Sequence, residues 1–331
     1  MTLDGERHEP LLLRPSGKDY LWGGKRLNEE FAKNINMYPL AETWECSTHP
    51  DGPSFVAAGE YAGKSLALVL KEHPEYLGRH ANENGELPIL IKFIDAKENL
   101  AVQVHPDDVY ARENESGQRG KTEMWYVLDA AENASFVYGL SHKADKEQIR
   151  RGVADGTVGK YLQKVPVKKD NVFFIEAGTI HALGAGTLVA EIQENSNLTY
   201  RLYDYGRTDK NGNFRELHME KALDVARLEA APEPRQPLRV LKYTRGMASE
   251  LLCHCRYFEV YRILLNTESD QQAKYSSDEI SYRVLLCIDG TGEIRYGHKC
   301  LRIKKGDCVF VPSRSVELGL FGKMQLLDVR G

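Results

Sequence analysis

Residues 100–108, "LAVQVHPDD", decide how the chain is read. Apolar and polar residues alternate from Val102 to His105, the period of a half-buried β-strand, in which side chains two apart point the same way. Gln103 and His105 therefore share one face with Ala101, while Val102 and Val104 share the other. Pro106 then stops the ladder, because it has no N–H to donate. An amide and an imidazole placed side by side on a strand, opposite two valines that must be buried, call for a polar interior.

Short β-branched and aromatic runs surround this stretch, at residues 89–95, 124–128, 135–138, 172–175, 188–193 and 199–205. Their lengths and turn punctuation predict antiparallel sheets closing into a sandwich or barrel. Helical pattern is sparse. Residues 145–153 form a short candidate, with Asp145 at its start and Gly156 beyond its end, and residues 216–228 carry Met219, Leu223, Val225 and Ala226 at helical spacing. The prolines of "AAPEPRQP", residues 230–237, read as a linker between an N-terminal region, 1–229, and a second β-rich region, 238–331. The two regions look related: "KKDNVFFIEAGTIHAL" from Lys168 aligns with "KKGDCVFVPSRSVEL" from Lys304, setting Val172 against Cys308 and Phe174 against Phe310. Glu317 then stands where the first copy has His181, so only the first region is equipped with a polar interior.

With 331 residues, 42% of them hydrophobic, the chain can bury a sizeable core without disulfides or a structural metal. Charged residues from Asp4 to Asp19 interrupt any apolar signal segment, and no run approaches transmembrane length. The six cysteines are scattered, which predicts reduced, mostly buried thiols in a cytoplasmic protein. A net charge of −4 without a basic run argues against nucleic acid or an anionic membrane as partner.

Inner-face side chains of a small barrel converge, so Gln103, His105, Glu123 and His181 can meet although they are distant in sequence. Two imidazoles, a carboxylate and an amide oxygen make a ligand set suited to Zn²⁺, Fe²⁺ or Mn²⁺. Lys92 interrupts the apolar run "PILIKFID", Lys121 lies two residues before Glu123, and Arg201 sits in "TYRLYDYGR", where it could also stack on a tyrosine. A lysine inside an apolar run needs a partner or a solvated cleft. Cations beside a metal in an acidic protein suggest an anionic substrate, a phosphate or carboxylate.

At these residues the sequence resembles the type I mannose-6-phosphate isomerases, in their short bacterial form. The resemblance runs through "LLLRPSGKDYLWGG", "WECSTHPDGPS", "LPILIKFIDAKENLAVQVHPDD", "GKTEMWYVLDA" and "GTIHALGAGTLVAEIQENSNLTYRLYDYGR". It implies a mainly β fold of two cupin-type jelly-roll barrels, with a short helical insert at about 141–162. It also implies one zinc ion per chain on Gln103, His105, Glu123 and His181, an active-site arginine at Arg201, and Lys92 and Lys121 beside a sugar phosphate. Related sequences commonly carry an acidic residue where this one has Asn197.

The implied reaction interconverts mannose 6-phosphate and fructose 6-phosphate through an enediolate. Such a step needs charge stabilisation where the enediolate forms and a base to carry the proton between C2 and C1. Metal-bound hydroxide, Lys92 and Glu191 are candidate bases; Glu191 shares strand parity with Gln193 and could instead orient a ligand. A sugar-phosphate sensor that has lost turnover, or another metal enzyme on the same barrel, are the alternatives. The cations argue against an oxygenase.

Overall fold

The computed structural model describes residues 7–79, 86–208, 212–267 and 271–331, so Asp4 and Glu6, part of the charge pattern near the start, lie outside it. The alternation read around Val102 does place that segment in a sheet, of five antiparallel strands. Their order is Tyr200–Tyr203, Val102–Val104, His181–Ala182, Ser135–Leu140 and Leu162–Pro166. Facing it is an antiparallel sheet of six: Val172–Ile175, Glu123–Ala130, Thr187–Glu194, Ile89–Ala96, Glu42–Cys46 and Ser16–Lys18. Trp125, Val127, Phe173, Ile175 and Val189 from one sheet and Phe136, Val165 and Leu183 from the other fill the space between. The two sheets remain separate hydrogen-bonded units, so the jelly roll is a sandwich and not a closed barrel.

Each outer face has its own cover. On the five-stranded sheet Val102 and Val104 pack against Ile149, Ala222 and Leu223 of helices Lys146–Ala154 and Met219–Val225. Asp145 caps the first of these in a reciprocal capping box with Gln148, and Gly156 takes a left-handed φ of 69° beyond its end. The second is shorter than its sequence pattern, 216–228. His218 N donates to Arg201 O at its start, and Arg227 N donates to Gly178 O after Ala226 turns extended, so tertiary bonds claim both ends. A further short helix, Asp108–Asn114, follows the QVHP strand with Asp107 as its N-cap.

The outer face of the six-stranded sheet packs on the second region through Ile89, Ile91, Phe93, Met124 and Ile192 against Val260, Val284, Phe310 and Leu327. Strands Ile89–Ala96 and Thr187–Glu194 are consequently buried at every position, which an alternating pattern alone would not show. The second region supplies eight strands of a ten-stranded sheet around Ile263, Leu285, Val309 and Leu326. Strand pairing crosses the linker at 230–237: Leu11–Arg14 joins this sheet between Cys308–Val311 and Phe55–Val56. The repeat is visible in three dimensions. Val172–Ile175 and Cys308–Val311 are both four-residue strands, preceded by Asp170 and Gly306 at positive φ. Glu317, by contrast, is solvated and paired with Lys274 at 3.1 Å.

All six cysteines are free, with Cys46, Cys253, Cys287 and Cys308 buried. Among the described residues no helix is long and apolar enough to cross a membrane.

Candidate metal centre

Strand register assembles the site. Arg201, Gln103, His181 and Tyr138 lie in one cross-strand row of the five-stranded sheet. His105 follows the end of its strand, where its carbonyl accepts from Gly178 N at 2.8 Å. Pro106 O then accepts from Lys121 N at 3.0 Å, folding the chain back so that Glu123 begins the second strand of the opposite sheet, between Val172–Ile175 and Thr187–Glu194. In that sheet Glu191 stands between Trp125 and Lys92.

The ligand atoms of His105, Glu123 and His181 all lie within 4.8 Å of one another, fully buried. His105 Nε2 is 3.5 Å from Glu123 Oε2, and His181 Nε2 is 3.4 Å from Oε1. His181 Nδ1 donates to Thr179 O at 2.8 Å, which leaves its Nε2 lone pair facing the cluster. Gln103 reaches the same atom with its amide at 3.3 Å; the amide turned over presents its oxygen there instead.

Neither oxygen of Glu123 has a hydrogen-bond partner of good geometry, although both are buried. Such orphaned acceptors are costly unless a cation satisfies them. The cluster already draws positive charge, since Lys121 Nζ points in to 2.9 Å from Glu123 Oε2 and 3.2 Å from His105 Nε2. Burial and the Lys121 ammonium push His105 down to about 3, so its imidazole is neutral and can donate a lone pair. Burial disfavours charge on Glu123, but Lys121 and the imidazoles outweigh it and hold the carboxyl well below its ordinary range. Neutral imidazoles and an ionised carboxylate are the protonation states a divalent ion requires.

Beside this cluster runs a chain of alternating charge. Lys92 Nζ lies 3.2 Å from Glu191 Oε1 and 3.6 Å from Glu42 Oε2, and Lys121 Nζ is 4.0 Å from Glu191. Burial works against charge on Lys92, yet Glu42, Glu191 and Glu123 raise it above its ordinary value, so the buried lysine stays cationic. Glu191 is raised by burial and by Glu123, only partly offset by the two lysines. Trp125 Nε1 donates to its other oxygen at 3.0 Å. Glu42, Trp44 and Trp125 were not among the residues singled out from sequence. Trp44 Nε1 donates to Glu42 Oε2 at 2.8 Å, and its ring lies 4.8 Å from Lys92 Nζ. The signal for them was the strand "ETWEC", where Glu42 and Trp44 share parity.

Arg201 is half-buried at the edge of this group. Its Nη1 donates to Glu216 O at 2.6 Å, while its Nε is buried without a partner. Burial and the neighbouring Arg215 lower its pKa, an environment already rich in positive charge. The tyrosine stack is made by another residue: Arg207, not Arg201, stands over Tyr205 at 5.3 Å. Asn197 donates to Asp51 Oδ2 at 2.8 Å, an exposed contact that needs no charge on Asn197.

Comparisons with known proteins converge on one family. Residues 11–133 match the family profile described as phosphomannose isomerase type I, catalytic domain, and residues 249–330 match mannose-6-phosphate isomerase, cupin domain. Mannose-6-phosphate isomerase ManA of Bacillus subtilis is 35% identical, over 95% of this chain and 96% of its own. The mannose-6-phosphate isomerase of Streptococcus mutans is 34% identical, over 96% and 97%. The crystal structure of the Bacillus subtilis mannose 6-phosphate isomerase superposes with a TM-score of 0.89 at 35% identity, covering 97% of this chain and 99% of that one. The chain that presents His105, Glu123 and His181 between two jelly-roll sheets belongs to the type I phosphomannose isomerase family.

Proposed function

We propose that this chain interconverts mannose 6-phosphate and fructose 6-phosphate, with one zinc ion per chain held by Gln103, His105, Glu123 and His181. The observation that carries the reading is the buried His105–Glu123–His181 group with its unsatisfied acceptors, found in a member of this family. Two nitrogens and two oxygens suit zinc, and the six free thiols fit a cytoplasmic setting. When bound, the ion supplies Lewis-acid stabilisation of negative charge developing on the sugar oxygens.

The side chains divide the remaining work. Glu191 is the base that carries a proton between C2 and C1; burial raises its pKa towards the working range of such a catalyst. Lys92, kept cationic by Glu42 and Glu191, offers an N–H to a sugar oxygen and is not the base. Arg201 faces the enediolate charge as it forms. Lys121, with Lys92 behind it, attracts the phosphate. Glu42, Glu191 and Glu123 outnumber the two lysines, and a dication reverses the sign of the group, which then favours an anionic substrate.

The test is a coupled assay of fructose 6-phosphate formation from mannose 6-phosphate, before and after chelation and after zinc is restored. Activity that disappears and returns is the expected result; inactivity of the fully metallated protein would overturn the reading. In the same assay Arg201→Ala is expected to keep stoichiometric metal and lose about a hundredfold in turnover. An Arg201→Ala protein with unchanged turnover would remove Arg201 from the reaction.

A further inference from the structure

The loop that delivers Lys121 and Glu123 is clasped from behind by a pair of acids that no step above uses. Gly120 N donates to Asp108 Oδ1 at 3.0 Å, and Gly120 packs so closely on the helix start that a Cβ would come within 2.5 Å of Asp107 C. One residue on, Thr122 and Glu194 bind each other twice: Thr122 N donates to Glu194 Oε1 at 2.8 Å, and Glu194 N to Thr122 O at 3.1 Å. Thr122 separates Lys121 from Glu123, so whatever fixes its backbone fixes where both side chains enter the cavity.

The Glu194 carboxyl, 2% exposed, also faces the carboxyl of Asp108, which is half-buried. Two carboxyls side by side, one of them buried, resist being ionised together. Asp108 has the donors: Gly120 N–H, Tyr257 O–H at 3.1 Å, and the nearby Arg256, which together outweigh burial and keep it ionised. Glu194 therefore holds the proton. The remaining titratable group facing it, from the turn before Glu259–Asn266, is Cys255, whose thiol burial pushes up.

We propose that Glu194 is a positioning residue for the isomerase site: as a neutral acid it donates to the Asp108 carboxylate while accepting the Thr122 amide, and this clasp sets Lys121 and Glu123 in the cavity. The inference rests on the isomerase reading given above. Loss of the proton turns the clasp into two like charges, and the loop loosens. Burial and Asp108 push the Glu194 acid up to about 8 from an ordinary 4.5, so the folded protein keeps a proton that the unfolded chain releases. Stability contributed here therefore falls as pH rises from 4.5 to about 8, then levels.

The experiment compares the metal-loaded full chain with Glu194→Gln and Glu194→Ala. A glutamine amide donates to Asp108 and accepts from Thr122 at every pH. Glu194→Gln is expected within about twofold of the native kcat at pH ~6.5, without the alkaline fall near pH ~8 that is expected of the native protein. Its Tm relative to native should rise between pH ~5.5 and ~8.5. Glu194→Ala should lose about tenfold in kcat and hold its metal less tightly. Identical alkaline limbs and a constant Tm difference for Glu194→Gln would overturn the proposal, as would native kcat in Glu194→Ala. Should the alanine variant not fold, the glutamine comparison decides alone. If the native chain converts neither sugar phosphate, the isomerase reading fails, while the Tm comparison still decides the clasp.

Discussion

Replacing His105 with alanine is expected to give a folded protein that binds no metal and turns over at least about a thousandfold more slowly, roughly 4 kcal/mol of transition-state stabilisation. The imidazole is one of three buried groups whose ligand atoms converge, and its loss leaves a site too poor in donors for zinc. The fold survives, because Lys121 and Glu123 still pair at 2.9 Å and no buried charge is left alone. Metal analysis after dialysis, circular dichroism and the coupled assay check the three parts separately. Stoichiometric metal in His105→Ala would exclude His105 from the ligand set. Arg201→Ala supplies the contrast, since there metal and turnover should part company.

A second large effect is expected on the outer face of the six-stranded sheet, where Phe93 packs. Lys33 Nζ lies 2.7 Å from Glu45 Oε2, also contacts the Gly306 carbonyl, and stands 4.9 Å from the centre of the Phe93 ring. Glu45 is fully buried, with Thr43 Oγ1 as its further donor among the described residues, at 2.5 Å. Burial already raises its pKa despite Lys33. Lys33→Ala strands this carboxyl and should cost about 3–5 kcal/mol, read as a lowered urea midpoint with metal binding unchanged. Lys33→Met combined with Glu45→Leu should recover most of that loss, because the desolvation of both charges disappears together. A single variant within about 1 kcal/mol of native would show that water reaches the pair.

The site was legible where chemistry and strand parity coincide. Gln103 and His105 stand out because a polar pair on one face of a strand is locally inconsistent with a dry core, and Lys92 because an ammonium in "ILIKFID" demands a partner. Glu191 is that partner, and it lies directly across the sheet. Glu42 and Trp44 were not read, since a carboxylate and an indole on an ordinary strand look unexceptional until Lys92 is placed against them. The Glu194–Asp108 clasp was invisible for another reason: two acids 86 residues apart in sequence signal nothing until the fold brings their carboxyls together. Sheet membership was the other gap. "LLLR" is a strand in the structure, but it was not read as one from sequence, and nothing local says that its neighbours are Cys308–Val311 and Phe55–Val56.

That first strand also fixes an order of events during synthesis. Leu11, Leu12 and Leu13 are made roughly 300 residues before one of their two flanking partners, a wait of about 15–60 s at ordinary elongation rates. The sandwich that carries the metal ligands is complete in sequence by Tyr203, so it can collapse during the wait. Its outer face, with Ile89, Ile91 and Phe93, meets Phe31 from the first region but lacks Val284, Phe310 and Leu327 until the C-terminal sheet is made. The nascent chain thus carries a leucine strand and a half-covered apolar sheet face together, and both gain their remaining cover only when Phe310 and its neighbours emerge.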